Sequence, residues 1–214
     1  MIEIKGLTKK YGDKTVYENF DFSVEEGRTT CILGESGSGK TTLLNCIARL
    51  TDFTGEIPPL KCSYVFQTPR LVPNLTVYGN LALVGADGEE IDRVLESVKL
   101  TDKRNAYPAQ LSGGQKQRVS LARALLYGGE ITLLDEPFAS LDLKLKKEMT
   151  GLFNEIARSR GLTSLFVTHD IDEALAVAQR VVVINGGKII ADIATEGRAD
   201  EKTRELLISA LVNA

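Results

Sequence analysis

GESGSGKT, residues 34–41, joins a short apolar segment, Thr29–Leu33, to a segment that favours a helix up to about Arg49. Its three glycines allow the backbone to approach a ligand closely and to direct N–H groups inward. The helix that follows would present its positive N-terminus to the same ligand. The pattern G-x-x-x-x-G-K-[ST] therefore predicts a loop that holds the phosphates of a nucleotide. The predicted nucleotide contacts are Gly34, Glu35, Ser36, Gly37, Ser38, Gly39, Lys40, Thr41 and Thr42.

Two side chains of this phosphate loop have specific predicted roles. Lys40 can reach the β- and γ-phosphates as a point charge, so we expect it to take part in catalysis. The hydroxyl of Thr41 can ligate Mg²⁺. The alternative is a plain glycine-rich turn, which is disfavoured because the strand and the helix stand where the motif requires them.

Two acidic residues follow a buried strand predicted at Ile131–Leu134. Because side chains alternate along a strand, Asp135 and Glu136 point in different directions and can have different functions. Asp135 can hold Mg²⁺, and Glu136 can act as the general base that activates the attacking water. The alternative is the solvated start of a loop, which the nearby phosphate loop disfavours.

Strand and helix patterns alternate along most of the chain, which predicts an α/β fold with a mostly parallel sheet flanked by helices. The stretch from Ile2 to Val24 alternates apolar and polar residues and predicts an N-terminal antiparallel β subdomain. Within a single domain of residues 1–214, we expect a small helical insertion at about 69–111 and a helical tail at about 198–214. Other predicted elements are the strands Cys62–Phe66, Leu165–Thr168, Val181–Ile184 and Lys188–Ala194, and the helices Ile91–Val98, Ser112–Tyr127 and Leu143–Arg158.

Composition excludes several classes of function. The net charge of −3 argues against a nucleic-acid partner, which would favour a basic chain. Cys31, Cys46 and Cys62 lack metal-binding spacing and are expected to be reduced core thiols, and one histidine cannot build a histidine-rich metal site. No segment approaches the ~20 apolar residues of a membrane-spanning helix, so we expect any membrane function to depend on a partner.

A second glycine-bearing helix start is predicted at Leu111–Gln115, which we name the signature segment. Ser112 and Gln115 form the pattern S-x-x-Q, a capping box at a helix N-terminus. Capping does not account for Gly113 and Gly114, because each glycine in a helix costs about 1 kcal/mol. Bare backbone at a helix N-terminus indicates a second place where phosphate is approached closely.

The signature segment LSGGQ, followed by Asp135-Glu136-Pro137 and then Ser140-Leu141-Asp142, resembles the ABC ATPase family over nearly the whole chain. The resemblance implies a P-loop NTPase fold. It also implies that Ser112, Gly113, Gly114 and Gln115 contact nucleotide, and that residues 140–142 form the D-loop of that family. The alternative for residues 140–142 is only a cap for the next helix.

Three further residues acquire roles from the same resemblance. Tyr11 matches the aromatic that stacks on adenine, Gln67 matches the glutamine that senses Mg²⁺ and contacts the membrane partner, and His169 matches the switch histidine at the γ-phosphate. Each has a plainer alternative, namely a turn aromatic, a loop residue and a structural histidine. The position of His169 after the strand Leu165–Thr168 favours the functional interpretation, because that strand end faces the other motifs.

The family resemblance also implies an assembly. Two copies of the chain would enclose two ATP molecules with Mg²⁺, each copy's phosphate loop facing the other's signature segment. Hydrolysis would drive integral membrane permease subunits from the cytoplasmic face of the cell membrane, to which the chain would bind peripherally. The apolar run Leu71–Leu75 could be the docking surface for a permease helix, or could simply pack within the insertion.

Details of the sequence favour an importer. Phe138 stands where importer subunits carry Phe or Leu and many exporters carry Thr, and the segment Phe66–Pro73 resembles nitrate, sulfonate and taurine importer ATPases. Thr68 and Asn74 depart from the usual pattern of that subclass. An extracytoplasmic solute-binding protein would then be a further partner. The alternatives are the ATPase of an exporter or a lipoprotein-release complex, and a non-transport ABC ATPase.

Overall fold

The computed structural model describes residues 1–139, 141–195 and 200–212. Within these ranges the chain forms a six-stranded sheet and a three-stranded sheet with helices packed around them. Ser140, in the predicted D-loop, and Arg198, near the predicted start of the tail, lie outside the described residues.

The strands and helices are numbered in chain order. The strands are β1 (Ile2–Tyr11), β2 (Lys14–Val24), β3 (Thr29–Leu33), β4 (Thr54–Glu56), β5 (Cys62–Val65), β6 (Ile131–Asp135), β7 (Ser164–Thr168), β8 (Arg180–Asn185) and β9 (Lys188–Ala194). The α-helices are α1 (Lys40–Ile47), α2 (Val77–Ala82), α3 (Gly88–Ser97), α4 (Gly113–Tyr127), α5 (Leu143–Arg160), α6 (Ile171–Val177) and α7 (Glu201–Val212). Short 3₁₀ turns occupy Thr101–Lys103 and Pro108–Gln110.

The larger sheet has the order β5-β6-β7-β3-β8-β9 and confirms the predicted, mostly parallel arrangement. Every residue of β3, β6 and β7 is buried, as expected for parallel strands that are covered on both faces. Among the described strands of this sheet, only β8 and β9 pair in antiparallel fashion. The carboxyl ends of β3, β6 and β7 consequently lie together, followed by Gly34, Glu136 and His169.

The smaller sheet has the order β2-β1-β4 and is antiparallel, which confirms the predicted N-terminal β subdomain. Inward-facing residues such as Ile4, Leu7 and Phe22 pack in one hydrophobic cluster with Leu43 and Leu44 of α1. Helix α1 therefore lies between the two sheets, and the phosphate loop before it is fixed from both sides.

The stretch predicted as a helical insertion contains α2 and α3. Leu81, Ile91 and Leu95 are fully buried in the larger hydrophobic cluster, together with Val119 and Leu121 of α4. The insertion is thus packed against α4, the helix that follows the signature segment. Because such cores are closely packed, a displacement of the insertion would displace α4 as well.

Two of the elements that the structure describes, β4 and α6, have no counterpart in the predictions. All three residues of β4 are exposed, so no apolar alternation marks it, and it forms because the free edge of β1 supplies backbone partners. The start of helix α6 was marked in the sequence by a capping pattern, Asp170 followed three residues later by Glu173. In the structure the Asp170 side chain accepts a hydrogen bond from the Glu173 N–H. No helix in the described part of the chain is long and apolar enough to cross a membrane.

Candidate functional site

A pocket of about 420 Å³ lies at the carboxyl edge of the larger sheet, beside β1 and β2. It brings together residues from the phosphate loop with Tyr11, Gln67 and Glu136, which are far apart in the sequence. Its lining residues are Tyr11, Lys14, Val16, Ser36, Gly37, Gly39, Lys40, Thr41, Thr42, Gln67 and Glu136.

The phosphate loop needs glycine at two positions for reasons within the chain. Gly39 has a φ of +106°, and a Cβ there would lie 2.8 Å from the Tyr17 hydroxyl oxygen. A Cβ at Gly34 would lie 2.3 Å from the carbonyl oxygen of Ile184. Both distances are far below van der Waals contact, so any side chain at these positions would displace the loop from β8 or β2.

Lys40 is buried at the start of α1, and its ammonium group lies inside the loop. Its Nζ donates hydrogen bonds to the carbonyl oxygens of Gly34 at 2.7 Å and of Glu35 at 2.6 Å. Burial lowers the pKa of Lys40, while the carboxylates of Glu136 and Asp135 raise it in part. The ammonium is therefore placed among backbone carbonyls, where an anion can become its principal partner.

Thr41 and Asp135, two of the three predicted metal ligands, are adjacent in the structure, and the third, Gln67, lines the same pocket as Thr41. The Thr41 hydroxyl donates to Asp135 Oδ1 at 2.9 Å. Burial raises the pKa of Asp135 above its ordinary value. Two oxygen donors of this kind, one of them a carboxylate, are the ligands that Mg²⁺ prefers.

Three loops meet at the carboxylate of Glu136. Its Oε2 accepts a hydrogen bond from Gln67 Nε2 at 3.4 Å and lies 3.2 Å from Nδ1 of His169. Glu136 itself has a φ of +42°, in the left-handed region that non-glycine residues seldom adopt. Such backbone strain concentrates at functional sites, where the surrounding structure enforces it.

The signature segment does not line this pocket. Ser112 and Gln115 form the predicted capping box, with Ser112 Oγ accepting from the Gln115 N–H at 3.3 Å and Gln115 Oε1 accepting from the Ser112 N–H at 2.9 Å. A Cβ at Gly114 would lie 2.2 Å from Leu145 Cδ2, whereas a Cβ at Gly113 would meet nothing within 4 Å. Packing against Leu145 therefore accounts for the glycine at position 114. No neighbour within the described chain accounts for Gly113, which leaves a ligand or a partner as its explanation.

Sequence reasoning missed several residues of the site region. Lys14 and Val16 line the pocket, and a hairpin register that pairs Tyr11 with Lys14 could have indicated the first of them. Lys146 of α5 donates to Asp170 Oδ2 at 2.7 Å, next to His169. Gln117 of α4 donates to the carbonyl oxygen of Phe66 at 3.3 Å. These last contacts join distant segments, and no local pattern marks them.

Comparison with known proteins places this geometry in a family. Residues 17–139, more than half of the chain, match the family model described as ABC transporter. The aliphatic sulfonates import ATP-binding protein SsuB 3 of Paraburkholderia xenovorans (strain LB400) is 40% identical over 217 residues, which cover 98% of this chain and 87% of that protein. The spermidine/putrescine import ATP-binding protein PotA of Haemophilus ducreyi is 36% identical over 99% of this chain, which spans only 62% of that protein.

Solved structures give the same result. The ABC transporter cassette MJ0796, determined as a dimer, has a TM-score of 0.81 and 31% identity, covering 91% of this chain and 99% of that one. The same cassette in a post-hydrolysis state with ADP and Pi has a TM-score of 0.80 and 32% identity, covering 91% and 99%. This chain therefore belongs to the ABC transporter family, as an ATP-binding and ATP-hydrolysing cassette related to import subunits.

Proposed function

We propose that two copies of this chain hydrolyse ATP between them and thereby power the import of a solute through separate membrane permease subunits. The observation that carries the proposal is the convergence of Gln67 and His169 on the carboxylate of Glu136, beside the phosphate loop. The names of the relatives favour import over export. An extracytoplasmic solute-binding protein and a position on the cytoplasmic face of the membrane are parts of the same proposal.

Nucleotide binding would use the pocket at the sheet edge. The Tyr11 ring stacks on the adenine, and the N–H groups of residues 34–42 surround the phosphates at the N-terminus of α1. The Lys40 ammonium exchanges its two carbonyl partners for oxygens of the β- and γ-phosphates. A charged acceptor gives stronger hydrogen bonds than a carbonyl, so this exchange favours the bound state.

Thr41, Asp135 and Gln67 would hold Mg²⁺ next to the phosphates. The adjacent hydroxyl and carboxylate oxygens of Thr41 and Asp135 fit that ion, because Mg²⁺ binds hard oxygen ligands and usually shares them with substrate phosphates. When bound, Mg²⁺ would neutralise phosphate charge as the bond to the leaving group breaks.

Hydrolysis would begin at Glu136. Its carboxylate accepts a proton from a water molecule, whose oxygen forms a bond to the γ-phosphorus while the bond from that phosphorus to the β,γ-bridging oxygen breaks. ADP carries the electron pair away. Gln67 and His169 hold the carboxylate in place, and His169 also contacts the γ-phosphate.

The second copy would complete each site with its signature segment. Ser112, Gly113, Gly114 and Gln115 stand at the N-terminus of α4, whose positive end favours an anion. A two-fold pair places the same surface on both copies, so two equivalent sites form at one interface. The dimer reported for the MJ0796 cassette supports this arrangement.

The permease would dock on the segment Leu71–Leu75. Buried Asn80 fixes this segment, since its Nδ2 donates to the carbonyl oxygens of Val72, Leu75 and Thr76 and its Oδ1 accepts from the Val72 N–H at 2.7 Å. Leu71 packs against the core, whereas Val72 is exposed and available to a partner. A preorganised surface loses little entropy when a helix binds to it.

The substitution Glu136→Gln tests the proposed catalytic role. We expect phosphate release to fall by about 10²- to 10⁴-fold, because the amide cannot accept the proton, while ATP remains bound and holds two chains together. Phosphate release and the mass of the particle by light scattering, each with and without ATP, measure these effects.

Glu148→Gln is a matched control, because it makes the same chemical change at an exposed position of α5. It should leave hydrolysis unchanged. Hydrolysis at the wild-type rate in Glu136→Gln would reject Glu136 as the base.

A further inference from the structure

A buried lysine lies over the ring of Tyr11. The Lys9 side chain is 3% exposed, and its Nζ lies 4.4 Å from the centroid of the Tyr11 ring. A lysine ammonium within about 6 Å of a ring centroid is attracted by the negative face of the aromatic ring. Lys9 and Tyr11 are two residues apart in β1, so both side chains lie on the same face of the strand.

An ion pair fixes the Lys9 ammonium in this position. Its Nζ donates to Asp52 Oδ1 at 2.9 Å. The hydrogen bond to Asp52 raises the pKa of Lys9 above its ordinary value, so the cation persists at neutral pH. Asp52 is 96% exposed and lies in the segment that joins α1 to β4. The ion pair thereby links the Lys9 side chain of β1 to this segment.

The contact with Lys9 leaves the Tyr11 side chain accessible from the pocket. Tyr11 lines the pocket and is 49% exposed, whereas Lys9 does not line the pocket. The ammonium therefore lies outside the space that a nucleotide would fill, and the exposed part of the Tyr11 side chain is available to a ligand.

We propose that Lys9 is a positioning residue for nucleotide binding, whose ammonium holds the Tyr11 ring in the orientation that stacks on adenine. The proposal rests on the adenine-stacking role proposed for Tyr11. An aromatic ring fixed before binding loses less freedom when the base arrives, so affinity for ATP rises without any contact between Lys9 and the nucleotide.

The substitution Lys9→Met tests this role, because it keeps an unbranched apolar side chain and removes the cation. We expect the Kd for Mg-ATP to rise about two- to fivefold, as the loss of a cation–π contact at a partly exposed ring implies. The Kd for Mg-tripolyphosphate, which has no base, should not change. Calorimetric titration of the full chain measures both constants, and circular dichroism verifies folding.

Two variants serve as controls for Lys9→Met. Lys9→Arg keeps a cation over the ring and should retain wild-type affinity for ATP. Lys10→Met removes the same charge from the adjacent exposed position and should change neither constant. Equal weakening of ATP and tripolyphosphate binding in Lys9→Met would overturn the proposal, because it would indicate damage to the phosphate loop.

A double-mutant cycle separates this inference from the proposed function. Tyr11→Leu should weaken ATP binding, and adding Lys9→Met to it should have no further effect. If Tyr11→Leu weakens binding but Lys9→Met acts equally in both backgrounds, the positioning role is wrong and the stacking role stands. If Tyr11→Leu leaves ATP affinity unchanged, the stacking role fails and the Lys9 proposal fails with it.

Discussion

The phosphate loop and the signature segment both place glycine at the start of a helix, yet they are fixed in opposite ways. The loop is held by distant parts of the chain: Gly34 abuts Ile184, Gly39 abuts Tyr17, and Thr41 contacts Asp135. The polar groups of the signature segment are instead satisfied within it, through the reciprocal hydrogen bonds of its capping box. The loop therefore depends on several tertiary contacts, whereas the signature segment combines local hydrogen bonds with packing of Gly114 against Leu145.

A single chain completes only one half of the nucleotide site within its described residues. The loop, Glu136 and Tyr11 already share one pocket. Ser112 and Gly113 are exposed, and the space around Gly113 is open. A helix start whose own polar groups are satisfied locally can meet a ligand without rearrangement of its chain. The signature segment is thus suited to a ligand held by another copy.

Mixing two variants, one defective in the phosphate loop and one in the signature segment, should change hydrolysis most strongly. Lys40→Ala removes the phosphate-loop charge, and Gly113→Asp places a negative charge where the triphosphate of the other copy would lie. Each variant alone should lose about 10²-fold or more of its hydrolysis, as expected when a transition-state contact is removed. An equimolar mixture should recover activity, because a mixed pair contains one site without either defect.

A second mixture controls for the recovery. Lys40→Ala and Thr41→Ala both damage the phosphate loop, so each site of a mixed pair is defective and the mixture should stay inactive. Phosphate release by the chains assembled with their permease is the measurement. Recovery in neither mixture would mean that each site is complete within one chain.

A smaller effect distinguishes the two glycines of the signature segment. Gly114→Ala should be less stable than Gly113→Ala by about 1 kcal/mol, because its Cβ would lie 2.2 Å from Cδ2 of the half-buried Leu145, whose side chain would have to shift. Gly113→Ala has open space and should not destabilise the chain. Urea unfolding of both variants compares them directly.

Leu145→Ala should suppress the cost of Gly114→Ala, since it removes the methyl groups that the new Cβ would meet. The two substitutions would then be strongly non-additive. If the two changes in the free energy of unfolding were additive, the contact between Gly114 and Leu145 would not contribute to stability.

Local sequence patterns predicted some features of the two regions and not others. The loop motif, the acidic strand end and the capping box are local patterns, and the structure has the strands and helices that they require. The Gly114–Leu145 contact joins residues of two helices, and nothing near either residue marks it. The assignment of both glycines to phosphate binding therefore overlooked a packing role that only tertiary structure reveals.

Strand β4 and the environment of Lys9 were also not predicted, again because contacts between distant residues create them. Strand β4 is exposed along its length and exists because β1 has a free edge. Lys9 looks like an ordinary surface lysine in sequence, but the structure buries it between Asp52 and Tyr11. Non-local contacts of this kind determine the site as much as the motifs do.

Substitutions of Ser112 should change stability least, and they can separate its capping role from its proposed contact with nucleotide. Ser112→Ala removes the acceptor for the Gln115 N–H and should lower the free energy of unfolding by about 0.5–1 kcal/mol. Ser112→Asp keeps a good cap and adds a favourable charge at the helix N-terminus, so stability should be maintained.

Hydrolysis should respond in the opposite order. In Ser112→Asp the added carboxylate would repel the triphosphate of the other copy. Phosphate release should therefore fall further in Ser112→Asp than in Ser112→Ala, although Ser112→Asp is the more stable of the two variants. Urea unfolding and phosphate release on the same preparations give both values. If hydrolysis instead followed stability across the two variants, Ser112 would be a helix cap with no contact to nucleotide, and the difference between the two regions would be one of folding alone.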